Sequence, residues 1–207
     1  MENDMSGLAR GRRAYFVDGR GGNDRRSGTS PSAAWRTLNR VSGMVFAPGD
    51  RILFRAGARY PGWLTLRGSG KKGKVITVGR YGEGRNPRMD GLGRRDETLL
   101  LSNGEYWEIA DLEVTNTGRT RKPSRAGVRV HLSDFGTAHH IHLKRLFVHD
   151  VNGSNDKAAG GGRGIFCTNA GRRIRSRFDG LLIEGCRLVR TDRDGIGMWS
   201  DYVSRRG

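Results

Sequence analysis

Three stretches of the chain repeat one spacing of apolar residues, and this repeat restricts the fold more than any other feature. They are EYWEIADLEVTNTG (105–118), HHIHLKRLFVHDVNG (139–153) and DGLLIEGCRLVRTDRDG (179–195). In register, Ile109, Leu143 and Ile183 align, then Leu112, Leu146 and Cys186, then Val114, Val148 and Leu188. Each unit carries apolar residues at i, i+3 and i+5, with a two-residue kink (Ala110-Asp111, Lys144-Arg145, Glu184-Gly185) interrupting strand alternation. A second ladder aligns Gly127-Val128-Arg129-Val130, Gly164-Ile165-Phe166-Cys167 and Gly195-Ile196-Gly197-Met198. The first ladder advances by 34 residues (109 to 143) and then 40 (143 to 183), so the joints are elastic while the strands are not. Strand, kink, strand, loop, strand describes one coil of a parallel β-helix. A single coil cannot bury its own apolar face, and stacking coils makes the core continuous. In this reading Cys186 lies under Leu146 and Cys167 under Val130, as buried thiols and not as a disulfide or metal pair.

The segments before the repeat suit the same all-β design. Short strands are expected at Tyr15-Phe16-Val17, RILFRAG, WLTLRG, KVITVG and TLLLSN, separated by Gly, Pro, Asn and charged residues. One helix is expected, with Trp35, Leu38 and Val41 on one face and Ser30 or Ser32 as its cap. It would cover the open end of the solenoid, where strand groups are unpaired. Residues 1–13 read as a poorly ordered leader and 14–207 as the solenoid, which stops at DYVSRRG directly after a strand and so looks truncated. The 33 glycines, more than twice the usual share, fit a chain of tight turns.

RGSGKKGKVITV (67–78) matches G-x-G-x-x-G and nearly matches a phosphate-binding loop. Val75 stands where magnesium needs a hydroxyl, and Val75-Ile76-Thr77-Val78 is β-branched, a poor helix start and a good strand. The stretch therefore reads as a basic turn and not a nucleotide site. The net charge of +17 comes mainly from arginine, 32 against 6 lysines. Such a chain attracts polyanions, although the arginines are spread over every turn. No run of apolar residues is long enough to span a membrane, and no secretory signal is visible at the start.

YFVDGRGGND, SGTSPSAAWRTLNRV and PGDRILFRAG together resemble the opening of right-handed parallel β-helix proteins of the pectate-lyase-like superfamily. GWLTLRGSGKKGKVITVGRYGEGRNPRMDG, YWEIADLEVTN and HHIHLKRLFVHDVNG resemble the coils that follow, so the resemblance covers about residues 14 to 202. It implies a carbohydrate-active protein, a polysaccharide lyase or glycoside hydrolase acting outside the cytoplasm (extracellular or periplasmic), of which this chain resembles the N-terminal portion. It also implies an acidic polysaccharide as partner, with further coils or a partner over the open end, and Ca2+ if the reaction is a lyase reaction. Two alternatives stay open: a non-catalytic module that binds polyanionic glycans, and a nucleic-acid-binding basic protein, for which no recognition helix or RNA-type aromatic signature is present.

In such enzymes the joints of successive coils stack into one wall, here 115–126, 149–163 and 189–194. Asp192, Asp194, Asp150 and His149 are the candidate catalytic residues, because two carboxylates facing a sugar can serve as acid and base or acid and nucleophile. Lys157, Arg163, Arg193, Trp199 and Tyr202 are the candidate substrate-binding residues, by charge and by ring stacking. Asp and Asn are also common turn residues, so each position competes with a purely structural role. No metal site is expected. His139-His140-x-His142 has no carboxylate near it in sequence and reads as a strand exterior.

Overall fold

Alternation of apolar and polar residues commits each short strand to one inward and one outward face. The computed structural model describes residues 12–156 and 158–202 and arranges these strands as three parallel sheets. Sheet A holds β1 (Ala14–Val17), β2 (Arg51–Arg55), β5 (Ile76–Tyr81), β8 (Trp107–Ala110), β11 (Thr137–Lys144) and β14 (Arg177–Glu184). Sheet B holds β3 (Arg59–Pro61), β6 (Arg88–Asp90), β9 (Glu113–Asn116), β12 (Phe147–Val151) and β15 (Arg187–Thr191). Sheet C holds β4 (Leu64–Leu66), β7 (Glu97–Ser102), β10 (Ala126–Ser133), β13 (Arg163–Ala170) and β16 (Asp194–Ser200). The chain visits A, B and C in turn, five times, and every strand pair is parallel: a right-handed parallel β-helix.

The two ladders are the core. Ile109 pairs with Leu143 and Leu143 with Ile183 in sheet A, while Val114, Val148 and Leu188 follow in sheet B. In sheet C, Val128, Ile165 and Ile196 form one inner column and Val130, Cys167 and Met198 the next. Burial is complete through β13 and then falls: Ile183, Cys186 and Leu188 are half-buried, and Ile196 and Met198 are exposed. Cys186 was expected inside. It has Leu146 on one side and no described coil on the other, so its thiol is reachable. Cys167 is 0% exposed, and burial pushes its thiol pKa up to about 12. A thiol reagent added to the native protein is expected to modify Cys186 and to leave Cys167 untouched until the chain is unfolded. Modification of Cys167 at the same rate would contradict its position in the column.

The two-residue kink is the corner between sheets A and B. Its Asp111, Arg145 and Gly185 adopt left-handed φ of 57°, 51° and 61° in three successive coils. The Arg145 amide donates to the Glu184 carbonyl (2.8 Å), and the Arg145 guanidinium grips Asp111 with two bonds of 2.8 Å. A side chain in this conformation costs about 1–2 kcal/mol, which only Gly185 escapes. Gly185→Ala should therefore lower stability by about 1 kcal/mol, read as a lower denaturant midpoint with an unchanged slope.

The first end of the stack is closed differently from the sequence expectation. The helix is only α1 (Leu38–Ser42), capped by Thr37, and Ser30 caps a separate 3-10 turn at Pro31–Ala33. Trp35 is extended between them and forms a parallel bridge to Val17. Its amide donates to the Phe16 carbonyl (2.9 Å), and its carbonyl accepts from the Asp18 amide (2.7 Å). Edge satisfaction thus overrides helical spacing: the free side of β1 needs backbone partners, and an extended segment supplies them. The Trp35 ring stacks on Tyr15 at 5.0 Å, and Leu38 and Val41 are buried in the same cluster. The leader expected over 1–13 lies outside the described residues except for Arg12 and Arg13. The Arg13 amide donates to Asp50, and its carbonyl accepts from the Arg51 amide.

The glycine-rich stretch 67–74 is the turn into β5. Lys71 and Lys74 exchange backbone hydrogen bonds (3.2 and 2.8 Å), and strand Ile76–Tyr81 follows without a helix. Gly68 has φ 105°, and a Cβ there would lie 2.2 Å from the Phe46 carbonyl oxygen, so the position admits only glycine.

Candidate functional site

The joints between sheets B and C stack as expected, because each offers backbone groups to the next. The Ser124 amide donates to the Gly161 carbonyl (2.7 Å), and Gly118 and Asn152 exchange two bonds of 2.8 and 2.7 Å. The Asp192 amide reaches the Val151 carbonyl (3.2 Å), and the Asp194 amide reaches that of Gly162 (3.0 Å). Arg125, only 3% exposed, donates to the carbonyls of Thr120 (3.0 Å) and Asn152 (2.7 Å) and ties the joints together. Asn116, fully buried, does the same from the end of β9 by donating to the carbonyls of Arg95, Asp96 and Ala126. The burial of neither is legible in sequence, because an arginine or asparagine in a loop carries no mark of it.

The expected site residues divide into three places. His149 and Asp150 lie at the end of β12 on the outer side of sheet B. His149 Nδ1 is 2.6 Å from Asp150 Oδ2, and its Nε2 is 3.0 Å from Glu113 Oε1. Phe147 stacks on the imidazole at 4.2 Å. Arg190 donates to both oxygens of Asp150 (2.5 and 2.9 Å), and this pair, with the imidazole beside it, holds the carboxyl far below the usual range. Arg190 thus favours the ionised form of Asp150 and fixes its carboxylate against His149.

Asp192 and Asp194 lie at the corner between β15 and β16 and point toward the joint wall and the outer face of sheet C. Asp192 is paired with Arg121, and Asp194 with Arg163 (3.1 Å) and Arg193 (3.5 Å). Each of these carboxylates already faces a guanidinium, which competes with the Ca2+ that a lyase would require. Trp199 is 57% exposed on the outer face of sheet C. Tyr202 sits at the opposite edge of that sheet, where its hydroxyl accepts from the Ser176 amide (2.9 Å) and Arg175 lies over its ring. The corner and the Tyr202 edge are thus separate. Lys157 lies outside the described residues.

Between them, the outer face of sheet C carries, beside the expected Arg163 and Trp199, residues that the sequence reading left unassigned. Leu100, Arg129, Phe166 and Gly197 form one outward column, and Ser102, His131, Thr168 and Trp199 the next. Arg129 and Arg163 lie over the Phe166 ring at 5.4 and 4.2 Å, and His131 Nδ1 is 2.7 Å from Thr168 Oγ1. Glu97 begins β7 at this face. Burial raises its pKa, against the opposing pull of Arg129. Alternation along β10 and β13 already sends Arg129, His131, Phe166 and Thr168 outward, so that signal was present. Nothing in the sequence marks Glu97.

Among the described residues one group has the spacing of metal ligands: Glu108, His140 and His142, on the outer face of sheet A. The carboxylate missing from the local sequence arrives from the preceding coil, 32 residues before His140.

Three parallel sheets, a solenoid core and a wall of stacked joints define a parallel β-helix of the pectate-lyase-like type. No family model matches the chain. It is similar to the lacto-N-biosidase of Bifidobacterium longum subsp. longum, with 24% identity over 249 aligned residues covering 89% of this chain and 16% of that protein. Among solved structures it is similar to the GH136 lacto-N-biosidase of Eubacterium ramulus, with a TM-score of 0.81, 26% identity, and coverage of 91% of this chain and 36% of that one. Pectate lyase Pel9A shares the fold (TM-score 0.53, 21% identity, 89% of this chain and 50% of that one). The chain therefore spans well under half the length of the lacto-N-biosidases it matches.

Proposed function

We propose that the chain is a carbohydrate-active β-helix that takes a glycan along the outer face of sheet C and the joint wall beside it, in the service of glycoside hydrolysis. One observation carries this reading: the likeness to a GH136 lacto-N-biosidase runs through 91% of the chain at a TM-score of 0.81. The face supports it chemically. Trp199 offers an exposed ring face to sugar C–H groups, and Arg129 and Arg163, stacked on Phe166, with Arg193 offer donors to hydroxyls or carboxylates.

Hydrolysis needs one carboxyl to protonate the departing oxygen and another to attack the anomeric carbon or activate water, about 5–10 Å apart. Asp194 and Asp192, two residues apart on the corner, are the pair we assign. Glu97 does not belong to it: β7 and β16 are three strand spacings apart, about 14 Å. His149 and Asp150, held by Glu113 and Arg190 on the outer side of sheet B, stand apart from the pair and take no step in this assignment. A lacto-N-biose-bearing oligosaccharide is the first substrate to try. An acidic polysaccharide is the second, favoured by the +17 charge and by Arg119, Arg121 and Arg193 on the wall. An extracellular or periplasmic setting follows from such substrates. Among the described residues no helix is long and apolar enough to cross a membrane.

The test offers the protein a chromogenic lacto-N-bioside and, separately, polygalacturonate. Release of the aglycone supports hydrolysis, and a new unsaturated product from polygalacturonate moves the assignment to a lyase. Saturable oligosaccharide binding with no product from either substrate makes the chain a glycan-binding module. Absence of both binding and product refutes the proposal.

A further inference from the structure

On the outer face of sheet A, far in the coil from the joint wall, His140 and His142 flank the inward-pointing Ile141 and so both project outward. Glu108, directly opposite His142 in the preceding coil, completes a cluster of three. His140 Nε2 is 2.8 Å from Glu108 Oε1, and His142 Nδ1 is 3.8 Å from the same oxygen. One ligand atom from each of the three lies within 4.8 Å of the others. Tetrahedral ligands held at about 2.0–2.1 Å from a zinc-type ion are about 3.3 Å apart, so the observed separations bracket what such an ion needs.

A second observation points to a missing partner. His142 Nδ1 is buried and accepts or donates no hydrogen bond, since 3.8 Å to Glu108 is too long for one. A buried ring nitrogen left unpaired is costly, and coordination would satisfy it. The ligands are also prepositioned. His140 takes a left-handed φ of 51° above Tyr106 at 54°, and the two rings stack at 6.1 Å. One group opposes a cation: Lys144 Nζ lies 3.4 Å from Glu108 Oε2, leaving Oε1 as the oxygen turned to the histidines.

We infer that Glu108, His140 and His142 form a binding site for a first-row divalent transition-metal ion, of the Zn2+ type, with the fourth position open. Two nitrogens and one carboxylate oxygen suit Zn2+, Cu2+ or Ni2+ and do not suit Ca2+ or Mg2+, which take oxygen shells. The ion would bridge β8 and β11, so binding would also pin two coils together.

The experiment titrates Zn2+ into the metal-stripped full chain by calorimetry, with Co2+ absorption as an independent readout of four-coordinate geometry. One equivalent should bind, the melting temperature should rise with Zn2+, and His140→Ala and His142→Ala should each weaken binding at least tenfold. Both side chains point outward, and unfolding in chelator shows whether each variant keeps its fold. Lys144→Gln should tighten binding. His139→Ala, which removes a histidine already held by Glu105 (2.9 Å), should leave it unchanged. Failure to bind Zn2+, or binding that survives His142→Ala but is lost in His139→Ala, would overturn the assignment.

Discussion

Trp107→Ala is expected to lower the stability of the protein by about 3–5 kcal/mol, the largest effect of any single truncation in this core. Trp107 is fully buried between Ile76 and Ile141 in an inner column of sheet A. Its ring meets Phe46 edge-on at 6.1 Å, and its Nε1 donates to the Gly68 carbonyl at 2.9 Å. Removing it opens a cavity the size of an indole in a stack that cannot close, because neighbouring strands are fixed at their spacing. It also strands the Gly68 carbonyl in the turn that leads into β5. Trp107→Phe should recover part of the loss through ring volume but not the hydrogen bond. Urea denaturation of the three proteins checks this, and an alanine variant within 1 kcal/mol of the parent would mean that the column tolerates voids.

The parts of this architecture that were legible in sequence are those set by period. Ile109, Leu143 and Ile183 could be aligned because a stacked strand repeats one inward position per coil. The kink could be seen because it occupies the same two places each time. The helix was placed too early because Trp35, Leu38 and Val41 satisfy helical spacing, while the bonds that pull Trp35 into an extended bridge come from β1, which local spacing does not register. The site was less legible. His149 and Asp150 are adjacent in sequence and meet in space, yet their partners Glu113 and Arg190 come from other coils. Glu108 reaches His140 in the same way. A parallel stack brings residues some 30–40 positions apart into contact, and only when the joint lengths are known does that offset become readable.

Asp194→Asn should cut turnover of the glycan substrate at least about 100-fold, the scale of general acid–base or nucleophilic assistance, with little change in binding. The carboxylate sits where the wall meets the outer face of sheet C, between Arg163 and Arg193, so it is oriented without being buried. The amide preserves shape and one acceptor oxygen while removing the charge and the second acceptor. Loss of turnover with a retained dissociation constant is therefore a chemical effect. Asp192→Asn should also lose turnover, since it is the other half of the assigned pair. Asp150→Asn, by contrast, should mainly alter how His149 is held and leave a larger residual rate. Full activity in both Asp192→Asn and Asp194→Asn would remove the corner from the mechanism.

The corners of the coil are unequal in length. In the last three coils the turn from sheet A to sheet B is two residues each time, 111–112, 145–146 and 185–186, whereas the joint from B to C takes nine, eleven and two. A short corner with left-handed residues tolerates no insertion, since one extra residue would shift every inward side chain of the next strand outward. The longer corner is free of that constraint, and lengthening a loop is cheap, about 0.6 kcal/mol per doubling. Change during evolution can thus accumulate on one edge of the solenoid while the other keeps the frame. Specificity for a new sugar can be acquired by insertion there without renegotiating the core.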